Sequence, residues 1–222
     1  MPNPSDMEAA LSLERFARYV IWAGGDRERA LELYELNARL SESLYIPLQI
    51  LEVALRNRVH DRMSKLHGEG WFDVDGLLEV PNQRHQVATA RQDLSREKKE
   101  PTPGRVIAAL SFSFWTAMFS PAYEDLWRGG LVEIAVRPDG KRLSRKDFSR
   151  RLNPIRILRN RVAHHEPILH WDLARHHAAI YEVTRWLSPV AAEWASRIDR
   201  FPSVLPADGY TLEDTEAAAS EV

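Results

Sequence analysis

Apolar residues recur at intervals of three and four along most of this chain, the pattern of helices with one buried face. Ser5-x-x-Glu8 has the form of a capping box and predicts a helix running to about Ala23, with Leu13, Phe16, Ala17 and Val20 on its apolar side. Gly24-Gly25 ends it and Asp26 caps the next, over residues 27–43. A long helix follows over 46–66, with Pro47 early enough to be tolerated and Leu48, Leu51, Leu55, Val59 and Leu66 as its stripe. Gly68 stops it, and Trp71 and Phe72 plug the core beside it. Residues 82–99 read as a polar helix, closed by Pro101-Thr102-Pro103-Gly104. Arg105 to Phe119 is the most apolar stretch and predicts one central helix. Ser120-Pro121 opens a short helix through Trp127, which Gly129-Gly130 ends.

Leu131 to Val136 has strand character, yet a single strand finds no partner in this sequence. Pro138-Asp139-Gly140 is a turn, and Ser144-x-x-Asp147 opens a short helix. Asn153 as N-cap and Pro154 at the first helical position predict a separate helix that Pro167 brings to an end by Glu166. Asp172 caps a helix to about Leu187, and Ser188-Pro189 starts a last one through Ile198. The fold class is therefore all-α. The expected organisation is one helical domain over residues 1–206, followed by an acidic, small-residue tail over 207–222 that reads as disordered.

Composition narrows the chemistry. The chain has 222 residues, 44% of them hydrophobic, enough for a sizeable core. There is no cysteine, which removes disulfides, thiolate catalysis and cysteine-based zinc sites. No secretion signal and no apolar run of membrane-spanning length is visible, so the expectation is a cytoplasmic protein with no membrane contact. Gly24-Gly25 lacks the Lys-Ser or Lys-Thr of a nucleotide loop. The histidines offer no His-x3-His or HExxH spacing, and adjacent His176 and His177 diverge on a helix, so neither metal nor cofactor is expected.

Net charge is only −2, but its distribution is uneven. Between Lys141 and Arg161 stand nine basic residues and a single acid, Asp147. Such a stretch suits either a solvated helix face or an RNA backbone. Lys141, Arg142, Arg145, Lys146, Arg150, Arg151, Arg156 and Arg161 are its candidate phosphate contacts.

That stretch leads into Arg159-Asn160-Arg161-Val162-Ala163-His164-His165-Glu166-Pro167. Asn160 and His164 are four apart and lie about 40° from alignment on a helix. The two histidines fall in the last turn, where the helix dipole favours the imidazolium. Histidine can take a proton from a ribose 2′-hydroxyl or give one to a leaving 5′-oxygen. Arginine can neutralise charge growing on phosphorus oxygens, and asparagine can orient either group. The plain alternative is that the histidines cap the last carbonyls of a helix. Glu52, Arg56 and His60, spaced by four, form either an exposed ion-pair ladder or, for Glu52, Arg56 and Asn57, a second wall of the same site.

Arg159-Asn160-x-x-x-His164 resembles the R-x4-6-H signature of HEPN domains in its RNxxxH form. The wider chain resembles the Abi-like family of bacterial abortive-infection proteins, built on HEPN-type helical bundles. Three stretches carry the resemblance: Leu51 to Val59 with Gly70-Trp71-Phe72; Leu110 to Trp115 with Phe119 and Tyr123 to Trp127; and Leu152 to Ile168. It covers about residues 40–170 and extends toward 200. It implies a HEPN-like bundle with flanking helices and a metal-independent endoribonuclease acting in phage defence. In that role His164 is the acid/base with His165 as rival, Arg159 binds the phosphate and Asn160 orients. It further implies RNA as partner, a homodimer in which two motifs meet, and a phage-derived trigger or an antitoxin. Binding without catalysis, to RNA or protein, is the alternative.

Overall fold

The computed structural model describes residues 13–213, with Met7, Ala10 and Leu11 before them. The capping box at Ser5-x-x-Glu8 and the tail beyond Glu213 lie outside the described residues. Among the described residues ten α-helices follow in order: α1 Leu13–Trp22, α2 Arg27–His67, α3 Pro81–Arg96, α4 Pro103–Ala109, α5 Phe112–Ala117, α6 Glu124–Arg128, α7 Arg145–Ala163, α8 Leu173–Leu187, α9 Pro189–Ile198 and α10 Phe201–Val204. Among the described residues there is no strand, and no helix is long and apolar enough to cross a membrane. The segment with strand character, Leu131–Ile134, is a 3-10 turn.

Three helix boundaries differ from the sequence reading. Residues 27–43 and 46–66 are not two helices but one, α2, with Pro47 inside it. Proline there removes a backbone bond at a cost of about 3 kcal/mol. Leu40, Leu44, Leu48, Leu51, Leu55, Val59 and Met63 are all buried on either side of it. Each such side chain contributes roughly 1.5–3 kcal/mol on burial, so the continuous stripe outweighs the local break. The same holds for α7, which runs from Arg145 through Pro154 to Ala163. The expected start at Asn153 is therefore an interior position. Conversely, the stretch from Arg105 to Phe119 is two short helices, because Ser111 caps α5 with its Oγ accepting from Phe114 N.

The chain divides into two compact units. The first comprises residues 1–46, 160–175 and 198–222, and the second 47–159 and 176–197. In the first, Phe16, Tyr19 and Trp22 of α1 are buried with Leu33, Leu40 and Leu44 of α2 and with Ile168, Leu169 and Phe201. Tyr19 packs edge-on against Trp22 and Tyr34, with ring centroids 5.5 and 5.1 Å apart. Buried Asn37 accepts from Ile168 N at 2.7 Å, which ties the segment after Pro167 to α2. Residues 207–213, expected within a disordered tail, are held by backbone and side-chain bonds. Tyr210 Oη donates to Leu169 O at 2.8 Å, and Glu213 N to Trp22 O at 3.0 Å. Gly24, at φ +64°, makes room for this segment: a Cβ there would run into the Glu213 carboxylate.

In the second unit Trp71 contacts Phe72, Phe114 and Trp115, and Phe119 contacts Trp127 and Phe148. Phe112, Phe114, Trp115 and Phe119 are at most 1% exposed, so they are core and none is presented for base stacking. Fully buried Gln83 joins α3 to this core, donating to Phe114 O at 3.0 Å and accepting from Tyr123 Oη. Asp172 and Ser188 cap α8 and α9, accepting from Arg175 N and Ala191 N.

Candidate functional site

Helix α7 begins as its sequence dictates. Ser144 Oγ accepts from Asp147 N at 3.0 Å and donates to the Asp147 carboxylate at 2.7 Å. Its apolar stripe, Phe148, Leu152, Ile155 and Leu158, is buried, which fixes the faces left for polar side chains.

The C-terminal end is a Schellman turn. Glu166 N bonds to Arg161 O at 2.8 Å and His165 N to Val162 O at 3.2 Å. This pattern requires a left-handed residue, and His165 supplies it with φ +58°. His164 is the C-cap, its N–H still bonded to Asn160 O at 2.9 Å. Both imidazoles are exposed, so His164 stands in solvent at the carboxyl end of a helix rather than inside the apolar interior. The loop beyond is fixed by Arg161, which donates to Pro167 O at 3.3 Å, lies 3.7 Å from Glu166 and covers the Trp171 ring. Beside it, burial, with Arg161 and Arg18 nearby, pushes the His170 imidazole down to about 4. Trp171 Nε1 donates to His170 Nε2 at 2.8 Å, and the buried Nδ1 has no partner among the described residues.

Arg159 is engaged from the other side of its own helix. Its Nε and Nη2 both lie 3.2 Å from Oε2 of Glu52 on α2. Of the second-wall residues, Glu52 is thus joined to the motif. Arg56 instead donates to its neighbour Asn57 Oδ1 at 3.2 Å. The ladder reading is not what forms either: His60 Nδ1 takes Trp71 Nε1 at 3.1 Å.

The basic stretch is more neutralised than its sequence suggests. Arg145 is bound to Glu124 at 2.7 Å and to Phe119 O, with a side chain only 11% exposed, and it holds the Glu124 carboxyl below its usual range. Arg145 is thus engaged within the fold and mostly covered. Arg150 faces Asp147 at 3.0 Å, and Arg151 faces Glu182 at 2.8 Å. Arg156 differs: its Nη2 donates to the neutral Asn153 Oδ1 at 2.8 Å. Among the described residues it is the one arginine of α7 with no carboxylate within ion-pair distance. Lys141, Arg142 and Lys146 are exposed.

Arg156 also lines a hollow of about 350 Å³ with Ser113, Thr116, Ser120, Ser149 and Asn153. Ser120 Oγ is buried and has no hydrogen-bond partner among the described residues, a state that costs about 1–3 kcal/mol. The four hydroxyl residues were not anticipated. Only Ser149 carries a sequence signal, a polar stripe on α7: Ser149, Asn153, Arg156 and Asn160 fall within about 60° of one another at 100° per residue. His164 continues that stripe, whereas Arg159 points about 100° away from Asn160.

Among the described residues no three His, Asp or Glu side chains are grouped as a metal-ligand set. The chain matches no protein-family model, no curated protein and no solved structure.

Proposed function

We propose that this chain is a HEPN-type, metal-independent endoribonuclease that serves in abortive-infection defence as a homodimer. The observation that carries the reading is the exposed His164 at the carboxyl end of α7, one turn beyond Asn160. An imidazole there is open to substrate. His164 removes the proton from a ribose 2′-hydroxyl as that oxygen attacks phosphorus. A second imidazole, His164 of the other subunit or the neighbouring His165, protonates the departing 5′-oxygen. The products are a 2′,3′-cyclic phosphate and a 5′-hydroxyl. Asn160 orients the base, and Arg159 exchanges Glu52 for the phosphate as charge builds on its oxygens. The all-helical fold agrees with this reading.

One observation favours a second reading. The guanidinium of Arg159 already has a carboxylate in its fork, which suits a structural ion pair in a non-catalytic RNA- or protein-binding module. Incubating the protein and its His164→Ala variant with RNA in EDTA separates the two. Cleavage by the wild type alone, leaving cyclic phosphate ends, supports the nuclease. RNA binding by both forms with no cleavage by either supports the binding module.

A further inference from the structure

Two observations converge on the hollow between α5 and α7. Its guanidinium, Arg156, is bonded to a carboxamide and, unlike the other arginines of its helix, has no carboxylate within ion-pair distance among the described residues. Its wall includes the hydroxyl residues Ser113, Thr116, Ser120 and Ser149; Thr116 Oγ1 donates to Ser113 O at 3.2 Å, and Ser120 Oγ is buried with no partner among the described residues. A buried hydroxyl without a bond is rare enough to call for an explanation, and a bound ligand supplies one. Charge-assisted bonds from a planar fork favour phosphate oxygens, and hydroxyl groups pair with sugar hydroxyls. A volume of about 350 Å³ is at the small end of ligand sites, room for one nucleotide and not for a folded element.

We infer that this hollow seats the ribose-phosphate of one RNA nucleotide, with Arg156 on its phosphate and the serine hydroxyls on its sugar. The choice of RNA rests on the ribonuclease reading above. Arg156 stands eight residues before His164, about 12 Å along the helix at 1.5 Å per residue. The seated nucleotide is therefore not the one whose bond is broken but one farther along the strand. Arg156 is a binding residue that sets where the strand lies.

The test uses the full chain in a His164→Ala background, so that bound RNA stays intact. Anisotropy of a labelled single-stranded RNA is read for that background alone and with Arg156→Gln, Ser120→Ala or Arg39→Gln added. Arg39 is an exposed residue paired with Glu35 and provides the same change of charge elsewhere. Arg156→Gln should weaken binding about tenfold or more, and Arg39→Gln less than twofold. Ser120→Ala, which removes an unpartnered hydroxyl, should weaken binding several-fold without lowering Tm, and it decides the matter if Arg156→Gln does not fold. Competition by adenosine monophosphate supports a seat for any ribonucleoside phosphate, free or in a chain. Competition by inorganic phosphate but not by the mononucleotide overturns the sugar contacts. Equal losses in Arg156→Gln and Arg39→Gln, or no RNA binding by any form, overturn the proposal. Failure of the nuclease reading looks different: the protein with His164 intact cleaves nothing, while RNA binding still depends on Arg156.

Discussion

Arg159 and Glu52 are 107 residues apart in sequence, yet Nε and Nη2 of the one converge on a single carboxylate oxygen of the other. The pair is partly exposed, so water screens it and its net worth is at most about 1 kcal/mol. It is cheap enough to be exchanged for a phosphate. Glu52→Gln should therefore lower stability by less than about 1 kcal/mol and raise RNA cleavage several-fold by freeing the guanidinium. Arg159→Ala should abolish cleavage. Loss of activity in Glu52→Gln, measured beside its Tm, would make Glu52 the positioning partner of Arg159 rather than a brake on it.

The two adjacent histidines have different backbone roles, and substitution separates them. His165 occupies a left-handed position that costs a residue with a Cβ roughly 1 kcal/mol. His165→Gly should raise stability by about that amount and leave cleavage intact. His164→Ala should leave stability nearly unchanged and remove cleavage. If His165→Gly abolishes cleavage while Tm rises, the acid/base role belongs to His165.

Caps and stops were legible because they are local. Ser144, Asp172 and Ser188 bond to amides three residues on, and Pro167 with the left-handed His165 closes α7 where a proline stop implies. Pro47 and Pro154 misled for the opposite reason. A proline rule describes one backbone bond, whereas the stripe from Leu40 to Met63 sums seven burials over α2. At the site, the Asn160-to-His164 spacing was legible; the polar stripe through Ser149 and Arg156 was not, because the proline signal divides at Asn153 a helix that is continuous. The Glu52 partner, the carboxylates that neutralise Arg145, Arg150 and Arg151, and the hydroxyl wall from α5 depend on which elements become neighbours. No local pattern encodes that.

His170 gives the fold a pH dependence of known sign. Its folded value is about 4 against 6.5 for the free side chain, mainly through burial. The unfolded chain takes up a proton as pH falls through 6.5, and the folded chain does not until about 4. Stability is thus fully present above pH 6.5 and declines as pH falls toward 4, by at most about 3 kcal/mol and less where water reaches the ring. His170→Gln keeps an acceptor for Trp171 Nε1 and cannot titrate. Urea midpoints at pH 7 and pH 4.5 should differ less for the variant than for the wild type. An unchanged difference would assign the acid sensitivity to other groups.

Pro154 lies on the exposed side of α7, where it leaves the carbonyl of Arg150 without a helical donor. Pro154→Ala restores that bond and should raise stability by about 1–3 kcal/mol, or several degrees in Tm. The neighbouring Asn153 and Arg156 line the hollow against α5, so the break falls where the helix meets the proposed nucleotide seat. If the proline sets the local path of α7 for that seat, Pro154→Ala weakens RNA binding even as Tm climbs. A gain in both would make the proline a tolerated flaw, outweighed by the buried Leu152, Ile155 and Leu158 around it.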